Sequence, residues 1–138
     1  METLTHSLAG IGPFFTYLVI GLALIAVFKM IYSAITPYDE WGLVKESQNQ
    51  AAAIGIGGAL VGFTLALAAA ASNSVSVTDY LLWAAVALLA QLLAFTAVRF
   101  VVLPGLVEKI EQNNVAAAIV LAAINISVGL LNAACMSY

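Results

Sequence analysis

Charge is scarce in this chain of 138 residues, and cysteine is scarcer still. Charged residues make up 8% and hydrophobic residues 64%. Soluble domains average about 25% charged and about 45–50% apolar residues. Four basic and seven acidic residues cannot cover the surface of a soluble domain of this length. The composition therefore excludes a soluble globular protein and a disordered chain, and the shortage of Lys and Arg excludes nucleic acid as a partner.

Residues that carry catalysis or bind metals are equally rare. The one cysteine, Cys135, cannot form a disulfide within the chain. The one histidine, His6, has no cluster of further metal ligands around it. The sequence also lacks a phosphate-binding glycine loop, a nucleophile elbow and a pair of catalytic carboxylates. We therefore expect no enzymatic activity, no cofactor and no metal site.

Long apolar runs dominate what is present. A helix needs roughly 20 apolar residues to cross a bilayer. Four segments meet this length, at about 13–36, 51–72, 80–103 and 115–136. Backbone polar groups in lipid must be satisfied within their own segment, so these runs predict helices. The sequence thus predicts an all-α membrane protein with four transmembrane helices and the lipid bilayer as a partner.

The positions of the basic residues predict the orientation. Lys29 and Arg99 lie near the C-terminal ends of spans one and three, and Lys45 and Lys109 lie in the connections that follow. Positive charge favours the cytoplasm, which places the connections at about 37–50 and 104–114 inside. Both termini, including a tail at 1–12, are then periplasmic. Lys29 and Arg99 are expected to anchor the topology or to contact lipid headgroups.

Aromatic side chains cluster where the spans end. Tyr38 and Trp41 follow span one, whereas Tyr80, Trp83 and Tyr138 lie at the opposite ends of spans three and four. Trp and Tyr are enriched at both membrane–water interfaces. We therefore expect these residues to form the inner and outer aromatic belts.

The two charged connections resemble each other. Each contains Gly-Leu-Val, then mixed charges, then Gln-Asn, then Ala-Ala-Ala-Ile, at 42–54 and at 105–119. The spacing differs by two residues. This ordered similarity predicts two tandem helix pairs, residues 13–73 and 74–138. Both pairs start outside, so the repeats are parallel and related by an axis along the membrane normal.

Both connections are also amphipathic. One interpretation is a short helix that lies at the membrane interface. The alternative is a docking surface for a cytoplasmic protein partner. The candidate residues for such an interface are Glu40, Trp41, Lys45, Asn49, Lys109 and Asn114.

No acidic residue lies in the middle of any span. Proton-coupled carriers usually place a carboxylate near the midplane. The small multidrug transporters, which are similar in size and helix number, rely on a Glu in their first helix. Residues 14–28 contain no acid, which argues against a proton-coupled drug exporter.

Glycine and uncharged polar residues occupy one face of span two and one face of span four. Small residues let helices approach closely, and Asn or Gln forms hydrogen bonds across the contact. Helix packing, including contacts between copies in a homo-oligomer, is the first interpretation. The second is a polar pathway that also includes Thr64. The candidates are Gly55, Gly58, Gly62, Gln91, Asn125, Gly129 and Asn132.

Several stretches together resemble a known family. They are residues 31–41, 49–52, 76–80 with Trp83, 91–95 with Arg99, and 132–136. They are similar to the YjfL-like bacterial inner-membrane proteins, a family catalogued as domain of unknown function 350. The resemblance implies two helix pairs in tandem and an inner-membrane protein, sometimes encoded near envelope-stress and polyamine-related genes. It implies no catalytic residues. The positions that match the family pattern are Pro37, Glu40, Asn49, Arg99, Asn114 and Asn132.

The main expectation is a non-enzymatic inner-membrane protein that self-associates and supports envelope stress responses or homeostasis. One alternative is a subunit of a small oligomeric channel or carrier for ions or polyamines. A second alternative is a membrane adaptor that recruits a cytoplasmic partner.

Overall fold

The chain is helical along nearly all of its described length. A computed structural model describes residues 1–136. Its helices are α1 (Glu2–Ala9), α2 (Ile11–Ile35), α3 (Glu40–Lys45), α4 (Gln50–Asn73), α5 (Val77–Ala97), a π turn (Val98–Val102), α6 (Leu106–Glu111) and α7 (Val115–Cys135). Four stretches are long and apolar enough to cross a membrane: Glu2–Ile35, Gln50–Asn73, Val77–Val102 and Val115–Cys135. The prediction of an all-α chain with four candidate spans is confirmed.

Side-chain caps begin three of the long helices. Asn49, Ser76 and Asn114 each accept a hydrogen bond from the backbone N–H three residues further on, at 2.9, 3.1 and 3.1 Å. Such caps satisfy N–H groups that have no partner within the helix. The sequence therefore fixes where α4, α5 and α7 begin through three polar side chains.

Helices α4 and α7 form the centre of the bundle and share its most extensive interhelical contact. Gly55 faces Leu121 and Gly62 faces Asn125, so residue numbers rise in the same direction along the two helices. The two helices are therefore parallel. Helix α2 lies further out, and α1 buries no residue at all.

The connections between the long helices form one packed layer at the end of the bundle, which we call the connection layer (residues 36–49 and 103–114). Asn49 Nδ2 donates to the carbonyl oxygens of Ile110, at 2.9 Å, and Glu111, at 3.4 Å. In return, the backbone N–H of Ala51 donates to Asn113 Oδ1 at 3.0 Å. These bonds hold α6 and the turn after it against the start of α4.

The third span ends in the π turn, where the N–H of Leu103 donates to the carbonyl of Val98 at 2.8 Å. Pro104 follows directly, and its ring clashes with the carbonyl four residues earlier in a regular helix. Widening the last turn moves that carbonyl away. Arg99 lies in this turn and is half-buried.

Two of the expected aromatic belt positions are wrong. Tyr38 and Tyr80 are buried at 8% and 1% exposure. The Tyr80 ring packs against Tyr17, with the ring centroids 5.2 Å apart, so tertiary packing removes it from the bilayer surface. Trp41 is exposed. Tyr138 lies outside the described residues.

Candidate functional site

The glycines that the sequence selected lie in the contact between α4 and α7. A Cβ on Gly58 would meet the Cα and Cβ of Ala122 at 2.4 Å, and a Cβ on Gly55 would meet Leu121 at 3.2 Å. A Cβ on Gly129 would come closer still to the backbone of Gly62. These glycines therefore allow close packing within one chain. That surface is used inside the bundle and is not free for a second copy.

Three polar side chains from three helices meet beside this contact, and we call them the core polar cluster: Tyr32 of α2, Gln91 of α5 and Asn125 of α7. All three are at most 1% exposed. Gln91 Nε2 donates to the Asn125 carbonyl oxygen at 3.2 Å. Gly62 makes room for this bond, since a Cβ there would lie 2.6 Å from Gln91 Nε2.

Most polar atoms of the cluster have no hydrogen-bond partner among the described residues. They are Tyr32 Oη, Gln91 Oε1, Asn125 Nδ2 and Asn125 Oδ1. The Tyr32 hydroxyl faces the Asn125 amide, but the two do not reach hydrogen-bond geometry. Asn132, on the same face of α7 as Asn125, also has an unpaired buried Nδ2. The helix packing leaves this row of polar atoms unsatisfied.

Aromatic rings hold Tyr32 in position. Its ring lies 5.6 Å from Phe28 and 5.1 Å from Phe95, centroid to centroid. Phe28 in turn stacks on Phe63 at 4.5 Å. These contacts join α2 to α4 and α5 and fix the position of the Tyr32 ring.

Glu40 lies on the connection-layer side of Tyr32 and is only 2% exposed. Its carboxylate accepts hydrogen bonds from Ser33 Oγ at 3.0 Å and from Thr36 Oγ1 at 2.5 Å. Burial raises the pKa of Glu40 above its usual range, although the bonds from Thr36 and Ser33 oppose the rise. Burial also raises the pKa of the neighbouring Tyr38, and the Glu40 carboxylate adds to that rise.

The other candidate residues of the connections differ in their role and in their exposure. Asn49 and Asn114 cap α4 and α7. Lys45 is exposed and Lys109 is half-buried. Asn49 is buried at 5% exposure and Glu40 at 2%. Glu40 and Asn49 are therefore buried against the bundle itself and expose little surface.

The two basic residues near the span ends contact aromatic rings. Lys29 Nζ lies 4.8 Å from the centroid of the Trp41 ring, and the Arg99 guanidinium lies 4.8 Å from the centroid of Phe100. Such contacts keep a cation close to apolar surface. Thr64 is exposed and lies on a different face of α4 from Gly62.

Sequence reasoning missed Tyr32 and expected Glu40 at a cytoplasmic interface instead of in this region. Tyr32 lies near the end of an apolar span, where no local pattern distinguishes a buried tyrosine from an interfacial one. Glu40 follows Pro37 in a polar connection, so its burial depends on α2 and α3 folding together around it. The only local signal was the pair of hydroxyl residues, Ser33 and Thr36, at spacings of seven and four before Glu40.

Known proteins are similar in sequence to this chain over almost its whole length. The family profile described as Domain of Unknown Function (DUF350) matches residues 5–136. The chain belongs to the DUF350 family. The DUF350 relative named UPF0719 inner membrane protein YjfL, from Escherichia coli (strain K12), is 41% identical over 133 residues, which cover 96% of this chain and 99% of the relative. The protein of the same name from Escherichia coli O157:H7 matches to the same extent. No solved structure matches the chain significantly.

Membership in DUF350 confirms the resemblance found in the sequence. The name of the relatives places them in the inner membrane, which agrees with the four apolar spans of this chain. The family description names no activity, so function has to be argued from the core polar cluster and its surroundings.

Proposed function

We propose that this DUF350 protein is a non-enzymatic subunit of an inner-membrane transport system in which small cations pass the core polar cluster. The observation that carries the proposal is the set of unpaired polar atoms on Tyr32, Gln91 and Asn125. An unsatisfied buried polar group costs about 1–3 kcal/mol. Such groups in a native structure call for an explanation, such as water or an ion that the chain itself does not supply.

An acidic surface in the connection layer favours cations over anions. A cavity of about 480 Å³ in the connection layer is lined by Asp39, Glu46 and Glu111 together with Tyr38. Clefts lined by charge of one sign raise the local concentration of the opposite ion. The core polar cluster itself carries no formal charge, and its amide and hydroxyl oxygens suit a weakly bound cation or its hydration water.

Self-association is part of this proposal. The closely packed glycines at Gly58, Gly62 and Gly129 leave little room for a wide pore within one bundle, so several copies around an axis would provide the path most simply. Because α7 occupies the glycine face, contacts between copies would use the lipid-facing surfaces. Native mass spectrometry of the protein in lipid tests this part directly, and a strictly monomeric mass would remove it.

The proposed arrangement has tandem parallel repeats and periplasmic termini. Both halves of the chain have the same order of elements, which supports the repeats. A long helix (α2 or α5) is followed by a short helix (α3 or α6) and by a long helix with an Asn cap (α4 or α7). The position of Lys45 and Lys109 on one side supports the orientation. Envelope homeostasis is the physiological setting that fits such a protein.

Flux into proteoliposomes tests the transport proposal. The purified chain is reconstituted, and uptake of protons, Na⁺, K⁺ and a polyamine is measured for the wild type and for Asn125→Leu. Losing one hydrogen bond of about 0.5–1.5 kcal/mol to a passing solute should lower the flux about twofold to twelvefold. Ser127→Ala is the matched control, since Ser127 is on the same helix, is exposed and donates only to Ala123.

The same pair of variants separates transport from misfolding. Leu has as many side-chain heavy atoms as Asn and removes two polar atoms that have no partner within the described chain, so Asn125→Leu should be about as thermally stable as the wild type. Lower flux at undiminished stability supports a path past Asn125. Wild-type flux that equals empty liposomes for every cation of the panel would overturn the proposal.

A cytoplasmic adaptor is the second candidate function. The observation in its favour is the exposed pair Trp41 and Lys45 on α3. Reversing the charge at Lys45 should abolish a specific pull-down from cytoplasm, whereas reversing Glu108 on α6 should not. Identical pull-downs from the wild type and the Lys45 variant would argue against the adaptor.

A further inference from the structure

Glu40 is a buried carboxylate at the end of the core polar cluster nearest the connection layer. It is 2% exposed, and its two oxygens are held by hydroxyl donors from the last turn of α2 and the residue after it, Ser33 and Thr36. Ser33 and Thr36 follow Tyr32 at the end of α2, so Tyr32 lies deeper in the bundle than Glu40. Asn125 lies deeper again, near the middle of α7. The order from the connection layer inwards is therefore Glu40, Tyr32, Asn125.

The charged and titratable groups around Glu40 do not neutralise it fully. On α2, Lys29 attracts the carboxylate, but its ammonium lies over the Trp41 ring. Tyr32 and Tyr38 face Glu40 as neutral phenols. Arg99 in the π turn lowers the pKa of Tyr38, whereas Glu111 of α6 raises it. A carboxylate buried without a matched counter-charge binds a proton more readily than an exposed one.

We propose that Glu40 is a proton-binding site at the entrance of the path through the core polar cluster, and that its protonation controls cation movement past Tyr32 and Asn125. The inference rests on the proposed transport function. A proton from water adds to one carboxylate oxygen of Glu40 and turns it into an O–H donor. Thr36 or Ser33 must then accept a hydrogen bond where it had donated one. The charge that holds a cation at this point disappears with the same step.

Infrared spectroscopy of the full-length protein in lipid detects the proton directly. Protonated carboxyl groups absorb apart from carboxylates, so a series of spectra between about pH 4 and about pH 9 follows each acid. The wild type should keep one protonated-carboxyl band at pH values above the ordinary titration range of Glu. Glu40→Gln should remove this band. Glu108→Gln alters an exposed carboxylate of α6 and should leave the band in place.

Thermal stability gives a second readout with a defined sign. The unfolded chain has the ordinary Glu pKa of about 4.3, and burial raises the folded value. The folded state therefore binds a proton at Glu40 more tightly than the unfolded state does. The contribution of Glu40 to the free energy of unfolding is then highest at low pH, and it is lost as the pH rises through the folded pKa. Glu40→Gln should flatten this dependence. Gln has nearly the same size and still accepts from Ser33, so the variant should fold.

The flux assay distinguishes failure of this inference from failure of the proposed function. Cation flux through the wild type should vary with pH across the range in which the band titrates, and the flux of Glu40→Gln should not. A band removed by Glu40→Gln together with a lost pH dependence supports the inference. Glu40 titrating in the ordinary range overturns it, even if Asn125→Leu still lowers the flux. Absent flux in the wild type removes the transport proposal and the controlling role of Glu40 with it.

Discussion

Gly62 and Gly57 lie on the same helix but in different surroundings. A Cβ on Gly62 would lie 2.3 Å from the Asn125 carbonyl oxygen and 2.6 Å from Gln91 Nε2, whereas a Cβ on Gly57 meets nothing within 4 Å. A single methyl group therefore has opposite consequences at the two positions. The close contact is a property of the residue's place in the bundle, because both glycines lie in the same apolar helix α4.

Gly62→Ala should lower the stability of the bundle. Overpacking a close contact costs about 1–3 kcal/mol, and the methyl group would also displace the bond from Gln91 to Asn125. Gly57→Ala should be neutral or stabilising by up to about 1 kcal/mol, since Ala favours the helix. Thermal unfolding in detergent, followed by Trp fluorescence, measures both. Equal unfolding temperatures for the two variants would contradict the close contact between α4 and α7.

Single polar residues in apolar runs could be found from the sequence, and their partners could not. Gln91 and Asn125 stand out because each is an amide within a long apolar segment. Tyr32 joins them only because Phe28 and Phe95 hold its ring. Glu40 was expected at a cytoplasmic interface, and its burial results from the hydroxyl groups of α2 folding over it.

At the scale of elements, Asn49 and Asn114 both cap a long helix but differ in their tertiary contacts. Each caps a long helix through its side-chain oxygen. Asn49 is buried and also donates to Ile110 across the connection layer, whereas Asn114 is exposed. The difference between the two therefore isolates the cross-connection bond.

Asn49→Ala should cost more stability than Asn114→Ala. Losing a cap costs about 1 kcal/mol, and the buried cross-connection bond adds about another 1 kcal/mol. Parallel denaturation of the two variants in detergent measures the difference. If Asn114→Ala were the more damaging substitution, the connection layer would not be held as described.

The sequence predicted the four long helices and their approximate ends, but it assigned residues 1–12 to a tail, where the structure has α1. The choice of central helices was predicted only in part. Pro37 and Pro104 give local stop signals after the first and third spans. The glycine pattern indicated that spans two and four make close contacts. It did not distinguish contacts within a chain from contacts between copies, because small residues serve both. The π turn at Val98–Val102 depends on strain near Pro104, which no periodicity shows.

For the whole molecule, the orientation in the membrane can be tested with its own thiol. Cys135 is the only cysteine and is exposed at the end of α7. A maleimide that does not cross membranes should label Cys135 in cells with a permeable outer membrane but an intact inner membrane. Ser47→Cys in a Cys135→Ser background places the thiol in the first connection and should react only after lysis. The reverse pattern would contradict periplasmic termini.

If cations pass the core polar cluster, its polar atoms contact water or an ion and are not merely buried. Water-edited solid-state NMR of the ¹⁵N-labelled protein in bilayers measures it most directly, because it reports how quickly side-chain amides receive magnetisation from water. The side-chain amides of Gln91 and Asn125 should receive magnetisation nearly as fast as that of exposed Gln112. A response as slow as that of the dry backbone at Leu121 would contradict the claim.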